Sequence, residues 1–349
     1  MNLFKMKYNY EPHPMKWWHF PLLIILIAGT IFIIVSQNKT KNKWQFMEGN
    51  VFGTTYHVSY KSTQNLNDSI LDVLNDVDRS LSIFNDSSVI SHINQNKSND
   101  VDWMFLKVFN KSQHIYDETN GAFDITVAPL VNAWGFGFQN ASDIDSIIID
   151  SILTYVGMDK VHLKESELLK DDNRIMLDCS AIAKGFGVDM VSEMLTHNDV
   201  KDFMVEIGGE VRTRGKNDKS GLWRIGINEP TDDMTASNDN LQNIIEISDM
   251  SIATSGNYRN YYIKNNKKYA HTIDPHTGYP VQHSILSSTV LSKDCMTADA
   301  YATAFMVLGL EKSKEILKSH SELQAYFIYS NEKGDNEVWH SDGLLLENE

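Results

Sequence analysis

The stretch AIAKGFGVDMVSEML (Ala181–Leu195), followed closely by MVEIGGE (Met204–Glu210), decides the fold class. In the first part Lys184, Val188, Val191 and Leu195 recur at helical spacing and share a face. The second part is a short apolar strand that runs into paired glycines. From Arg174 onward such strands dominate. Besides Met204–Ile207, the pattern predicts strands at Trp223–Ile227, Ile244–Ile247, Tyr258–Ile263, Tyr269–Ile273, Ile285–Leu291, Ala325–Tyr329 and Glu337–His340. Helices are expected at Thr297–Leu308 and Glu311–His320, and Thr231–Asn243 reads as a polar loop. Strands outnumber helices without strict alternation, which argues α+β rather than a doubly wound sheet.

The N-terminal half carries fewer strands. Trp44–Tyr60 reads as a hairpin turning at Glu48-Gly-Asn50, with Phe52–Tyr56 on its second arm. Ile70, Leu74, Val77 and Leu81 mark a helix; Met104, Val108, Ile115 and Thr119 mark another less cleanly. A third is expected over Ile144–Tyr155, stopped at Gly157.

Phe20–Val35 contains no charged residue, and Trp17-Trp18 precedes it like an interfacial belt. From Trp17 the run approaches the roughly 20 residues needed to cross a bilayer. No small-residue cleavage site follows, so an uncleaved anchor is favoured over a signal peptide. The expected organisation is a tail over 1–16, a transmembrane anchor over 17–35, a polar linker over 36–43 and one catalytic domain over 44–349. Lys5, Lys7 and Lys16 balance Lys39, Lys41 and Lys43, so local charge leaves the orientation open.

The net charge of −15 over 349 residues argues against a nucleic-acid partner, because no basic stripe exists to displace counterions. Cys179 and Cys295 lack metal or redox spacing and read as small buried hydrophobes.

Several segments carry candidate chemistry, each open to a plainer reading alone. Asp299 and Thr303 lie four apart on an expected helix, a carboxylate and hydroxyl suited to a hard cation, although a lone pair of this kind is usually structural. Asp178–Gly187 looks like a loop feeding a helix, whose free N–H groups and Lys184 would face an anion; the alternative is an ordinary helix entry. Gly208-Gly209 is either a tight turn or a phosphate cradle. His271 precedes the turn-forming Asp274-Pro-His-Thr-Gly278 and is either a general base or a packed strand histidine.

In this order, the segments resemble the FAD:protein FMN transferase (ApbE) family over about Phe52–Gly309. The landmarks are Phe52-Gly-Thr54, Leu81-Ser-Ile-Phe-Asn85, Gly121–Thr126 with Pro129-Leu130 and Trp134-Gly-Phe136, Ala181–Gly185, Glu206–Glu210, Ala253–Tyr258, His271–Gly278 and Asp299–Thr303. The resemblance implies a T-fold-like α+β domain, a Mg²⁺ requirement and transfer of FMN from FAD to a threonine or serine of another protein. It also implies work outside the cytoplasmic membrane, on a flavin-carrying subunit of a membrane redox complex. By position, Asp299, Thr303 and the carbonyl of Ala181 match the metal ligands. Ala122, Phe123, Asp124, Asp178, Lys184 and Ile273, with Phe52 and Phe84, fall where the family holds FAD, and His271 matches the base that activates the acceptor hydroxyl. Phe52 stands where many members carry methionine. The same residues would also serve an FAD pyrophosphatase, while a non-catalytic flavin-binding membrane protein would need no base.

Overall fold

The computed structural model describes residues 42–137, 144–230, 241–257, 261–264 and 267–347, together with 17, 21 and 23–30. The chain divides into two compact units, Met1–Lys43 and Trp44–Glu349. Of the expected anchor over 17–35, residues 17, 21 and 23–30 are described and 23–30 is helical; the remainder lies outside the described residues. Among the described residues no helix is long and apolar enough to cross a membrane.

The second unit is built on an eight-stranded sheet, ordered β1 (Lys43–Val51), β2 (Thr54–Ser62), β5 (Phe203–Ile207), β6 (Glu210–Arg214), β9 (Ser251–Gly256), β12 (Ile285–Ser292), β13 (Gln324–Ser330) and β14 (Asn336–His340). From β2 onward every described pairing is antiparallel. Three two-stranded ribbons accompany it: β3 (Val161–Lys164) with β4 (Glu167–Lys170), β7 (Trp223–Asn228) with β8 (Leu241–Ile247), and β10 (Tyr261–Lys264) with β11 (Lys267–Ala270). The mixed α+β reading therefore holds. The expected loop over 231–243 is shorter at its end, since β8 begins at Leu241; 231–240 lies outside the described residues.

The first hairpin turns later in the chain than its sequence suggests. Phe52 and Gly53 both have positive φ, 52° and 75°, and they join β1 to β2. Such a pair matches the twist of the flanking strands, so the turn forms there rather than at Glu48–Asn50.

Helices cover one face. In α1 (Asn67–Leu81) the buried residues include Ile70, Leu74, Val77 and Leu81, as periodicity requires. Helix α2 is Val89–Asn94, and α3 (Trp103–Glu118) starts where Asp102 accepts a 2.8 Å hydrogen bond from the Phe105 N–H. Short helices α4 (Ala128–Ala133) and α5 (Ser146–Leu153) form a satellite cluster through Leu130, Ile149 and Ile152. Helices α6 (Ala183–His197) and α7 (Cys295–Leu308) are central, and α8 (Leu310–Ser319) follows. Helix α7 is buried on nearly every side between α6 and strands β9 and β12. Its alanines at 298, 300, 302 and 304 are fully buried, and their small side chains allow this close approach. The opposite sheet face packs Val211, Ile252, Leu291, Tyr326 and Ile328 against the β7–β8 ribbon.

One buried carboxylate joins the two central helices. Asp189 of α6 accepts 2.9 Å hydrogen bonds from the N–H groups of Cys295 and Met296, the first turn of α7. Arg212 of β6 donates to it at 2.6 Å. An Asp on the packed side of a helix that also buries Val188 and Val191 marks a partner elsewhere in the chain, but its sequence does not say which. Cys179 and Cys295 are both buried and unpaired, consistent with small apolar fillers.

Asp189→Ala leaves a partly buried guanidinium and two helix N–H groups without their acceptor. It should destabilise the domain by about 3 kcal/mol, read as a lower urea midpoint with unchanged slope.

Candidate active site

The residues of interest converge on one cavity of about 770 Å³. That is the size of a site for a large organic ligand. Four elements build its polar end. Helix α7 contributes Asp299 and Thr303, one turn apart. Helix α6 contributes Lys184 in its first turn, and the Gly185 N–H donates to Asp299 Oδ2 at 2.9 Å. The β5–β6 turn contributes Gly208, Gly209 and Glu210, and β9 contributes Thr254 and Ser255. The Ser255 and Thr303 hydroxyls are hydrogen-bonded at 3.0 Å, and Thr254 pairs with Thr289 of β12 at 2.8 Å.

The paired glycines are required by geometry. Gly208 and Gly209 have φ of +62° and +103°, which closes a two-residue hairpin between Ile207 and Glu210. A Cβ on Gly208 would lie 2.8 Å from Thr54 Cγ2 and 3.3 Å from Lys184 Cδ. The turn therefore packs directly on the lysine stem. Gly185 is equally constrained, since a Cβ there would meet the Cys295 carbonyl oxygen at 2.4 Å and Asp299 Cβ at 2.8 Å. Glu206 faces elsewhere: it accepts from the Gly209 N–H at 2.6 Å and pairs with His57 at 2.5 Å.

Lys184 Nζ lies 2.6 Å from Glu210 Oε1. Burial alone would lower the lysine, but the carboxylates of Glu210 and Asp299 hold it well above its ordinary value. Burial pushes both carboxyls up, and at Glu210 the Asp299 charge adds to it. Glu210 and Asp299 are each 2% exposed. Two carboxylates facing one ammonium out of water call for a proton or for further positive charge.

The rest of the wall comes from distant segments. Ala122, Phe123, Asp124 and Ile125 line it after α3, and Asp178, Ser180 and Ala181 line it just before α6. These two runs are tied where the Asp178 N–H donates to the Ile125 carbonyl at 2.7 Å. His271, Thr272, Ile273 and Pro275 follow β11. The His271 ring meets Phe136 edge-on, with centroids 6.4 Å apart. Asp274 closes the adjoining turn: its carbonyl accepts from the Gly278 N–H at 2.8 Å, and its side chain from the His276 N–H at 2.9 Å. Gly278 has φ +73°, and its carbonyl receives Trp134 Nε1 at 2.7 Å, anchoring the segment on the α4–α5 cluster. Phe84 stands 68% exposed at the rim.

Ala122, Phe123, Asp124, Asp178, Ala181, Lys184, His271, Ile273, Asp299, Thr303 and Phe84 thus share the cavity wall. Phe52 does not. Its place in the β1–β2 turn directs it beneath α6, where its ring lies 3.0 Å from the position of a Cβ on Gly187. The sequence gives Glu210, Thr254, Ser255 and Phe136 no role of their own, although all four lie inside the motifs quoted above. An acidic residue directly after paired glycines is the signal the sequence offers for Glu210.

The family model "ApbE family" matches residues 52–327. The chain belongs to the ApbE family. It is 35% identical over 328 residues to the FAD:protein FMN transferase of Haemophilus influenzae, covering 89% of this chain and 93% of that one. The Vibrio cholerae protein of the same name is 35% identical over 306 residues. The solved flavin transferase ApbE from Vibrio cholerae superposes with a TM-score of 0.76 at 33% identity, covering 86% of this chain and 98% of its own. The apo flavinyl transferase ApbE of Pseudomonas stutzeri gives 0.77 at 27% identity, covering 87% and 96%.

Asp124 titrates unusually. Burial pushes its carboxyl up to about 6, against the pull of its hydrogen bonds from the Thr126 N–H and hydroxyl at 2.7 and 2.6 Å. A folded pKa above the unfolded one means stability present at low pH is lost as pH rises from about 4 through about 6. Asp124→Asn keeps the acceptor oxygen and removes this charge. The variant should gain up to about 3 kcal/mol relative to the parent at pH 7.5 but little at pH 4, measured by urea unfolding at both values.

Proposed function

We propose that this chain transfers FMN from FAD to a threonine or serine hydroxyl of an acceptor protein and releases AMP. The observation that carries this reading is the convergence of Asp299, Thr303, Lys184 and His271 on one cavity of dinucleotide size. The names of its relatives support the same reaction.

The donor set fits a hard divalent cation such as Mg²⁺. Asp299 would supply a carboxylate, Thr303 a hydroxyl and Ala181 its main-chain carbonyl, oxygen donors of the kind such ions prefer. Two buried carboxylates against one ammonium leave the charge that a cation would offset. Among the described residues no group of three or more His, Cys, Asp or Glu side chains is arranged to hold a metal, so the site would rest on this mixed set. A bound cation would neutralise the pyrophosphate and ease departure of AMP.

The chain's own groups account for the remainder. Lys184, fixed from below by the Gly208 turn, presents a positive charge to the phosphates. Phe123 and Ile273 offer apolar wall, and Asp124 and Asp178 offer acceptors to polar edges of the ligand. His271 takes the proton from the acceptor hydroxyl as its oxygen bonds to the FMN phosphorus. The bond from that phosphorus to the bridging oxygen breaks, and AMP carries the electron pair away.

The proposal includes an anchor over 17–35, a domain outside the cytoplasmic membrane and an acceptor that is a flavin-carrying subunit of a membrane redox complex. The uncharged run from Phe20 to Val35 supports the anchor.

Asp299→Ala should abolish transfer. His271→Ala should keep FAD affinity within a few-fold and lower labelling by 10² to 10⁴. Flavin fluorescence on the denatured acceptor, paired with an FAD-binding titration, measures both. Normal labelling by His271→Ala removes its role, and AMP release without labelled acceptor identifies hydrolysis instead.

A further inference from the structure

Glu210 is a buried charged group of the cavity wall to which no role has yet been given. It opens β6 directly after the Gly208–Gly209 turn, and its side chain is buried. Oε1 accepts from Lys184 Nζ at 2.6 Å, whereas Oε2 is buried and meets no hydrogen-bond partner among the described residues. A carboxylate oxygen left without a donor out of water costs about 1–3 kcal/mol or more, so a fold retains one only where something else satisfies it. The surrounding wall narrows the choice. Asp299, Thr303, Thr254 and Ser255 are neighbours in the same cavity, and both Asp299 and Glu210 act on the one lysine. The Thr254 and Ser255 hydroxyls bond to Thr289 and Thr303 and do not reach this oxygen. A phosphate group would repel the oxygen. A cation would satisfy it.

We infer that Glu210 belongs to the cation site: its Oε2 binds, directly or through one water, the divalent ion held by Asp299 and Thr303. Oε1 keeps Lys184 aimed at the phosphates, so a single side chain couples the ion to the ammonium. This rests on the reading of the cavity as an FAD site that takes a divalent cation, but not on the identity of the acceptor. Strand β6 delivers the group from the sheet, while α7 delivers the other two. The ion would thus be gripped from both layers of the fold.

The test uses the full chain and Mn²⁺ as a paramagnetic probe, titrated with FAD at saturation, beside FAD binding in EDTA. Glu210→Gln retains the oxygen that accepts from Lys184 and removes the charge. It should raise the Mn²⁺ Kd at least tenfold and change FAD affinity in EDTA less than threefold. Lys184→Met should do the reverse. Glu210→Asp, which keeps the charge but withdraws it, should also lose Mn²⁺ affinity tenfold, and it stands in if Glu210→Gln does not fold. An Mn²⁺ Kd within twofold of the parent, with the loss confined to FAD binding in EDTA, would show that Glu210 only positions Lys184 and would overturn the inference. A parent protein that binds no Mn²⁺ in the presence of FAD defeats the cation reading itself, a separate outcome.

Discussion

The ammonium of Lys184 faces two carboxylates, Glu210 and Asp299, that folding removes from water. Such a set is costly unless every charge finds compensation, and one lysine cannot balance both acids. The surrounding fold brings the three groups together with little freedom. Gly208 allows the β5–β6 turn to press on the lysine stem, and Gly185 allows α6 to approach α7 until its N–H reaches Asp299. Any side chain at either glycine would separate the charges.

Helix α7 explains why this arrangement is stable. It is buried almost all round, so its axis is set by packing against β9, β12 and α6 rather than by solvent exposure. Its start is fixed by Asp189, which α6 offers to the N–H groups of Cys295 and Met296 while Arg212 neutralises it. The same two helices that carry Lys184, Asp299 and Thr303 are therefore also joined by the buried carboxylate of Asp189. Structural and chemical charges share one scaffold, which keeps the polar end of the cavity rigid while the segment from His271 to Gly278 closes another wall through its own turn.

Legibility in the sequence followed periodicity. Ile70, Leu74, Val77 and Leu81 announced α1, and the strands at Phe203, Trp223, Ile285 and Gln324 appeared close to their expected bounds. Where backbone conformation rather than hydrophobic pattern decided, reading failed. The first hairpin turns on Phe52, a residue with no intrinsic preference for positive φ, so nothing local distinguished that turn from Glu48–Asn50. Strand β6, with its charged residues, and the small β3–β4 ribbon were missed because short strands with polar positions carry weak signals. The place of Phe52 in its motif points to the flavin, yet the turn carries its ring against Gly187 of α6.

The amino-acid order alone determined the mixed α+β class, the family and the candidate residues that share the cavity wall, Phe52 apart, because these depend on residue type and spacing along one dimension. Only the tertiary structure decided that Glu210 meets Lys184, that Asp189 accepts from the first N–H groups of α7 and that Phe52 lies off the cavity wall. Each of those depends on the distance between segments far apart in the chain, and the closeness of such segments is set by the packing of helices and sheet, not by local preference.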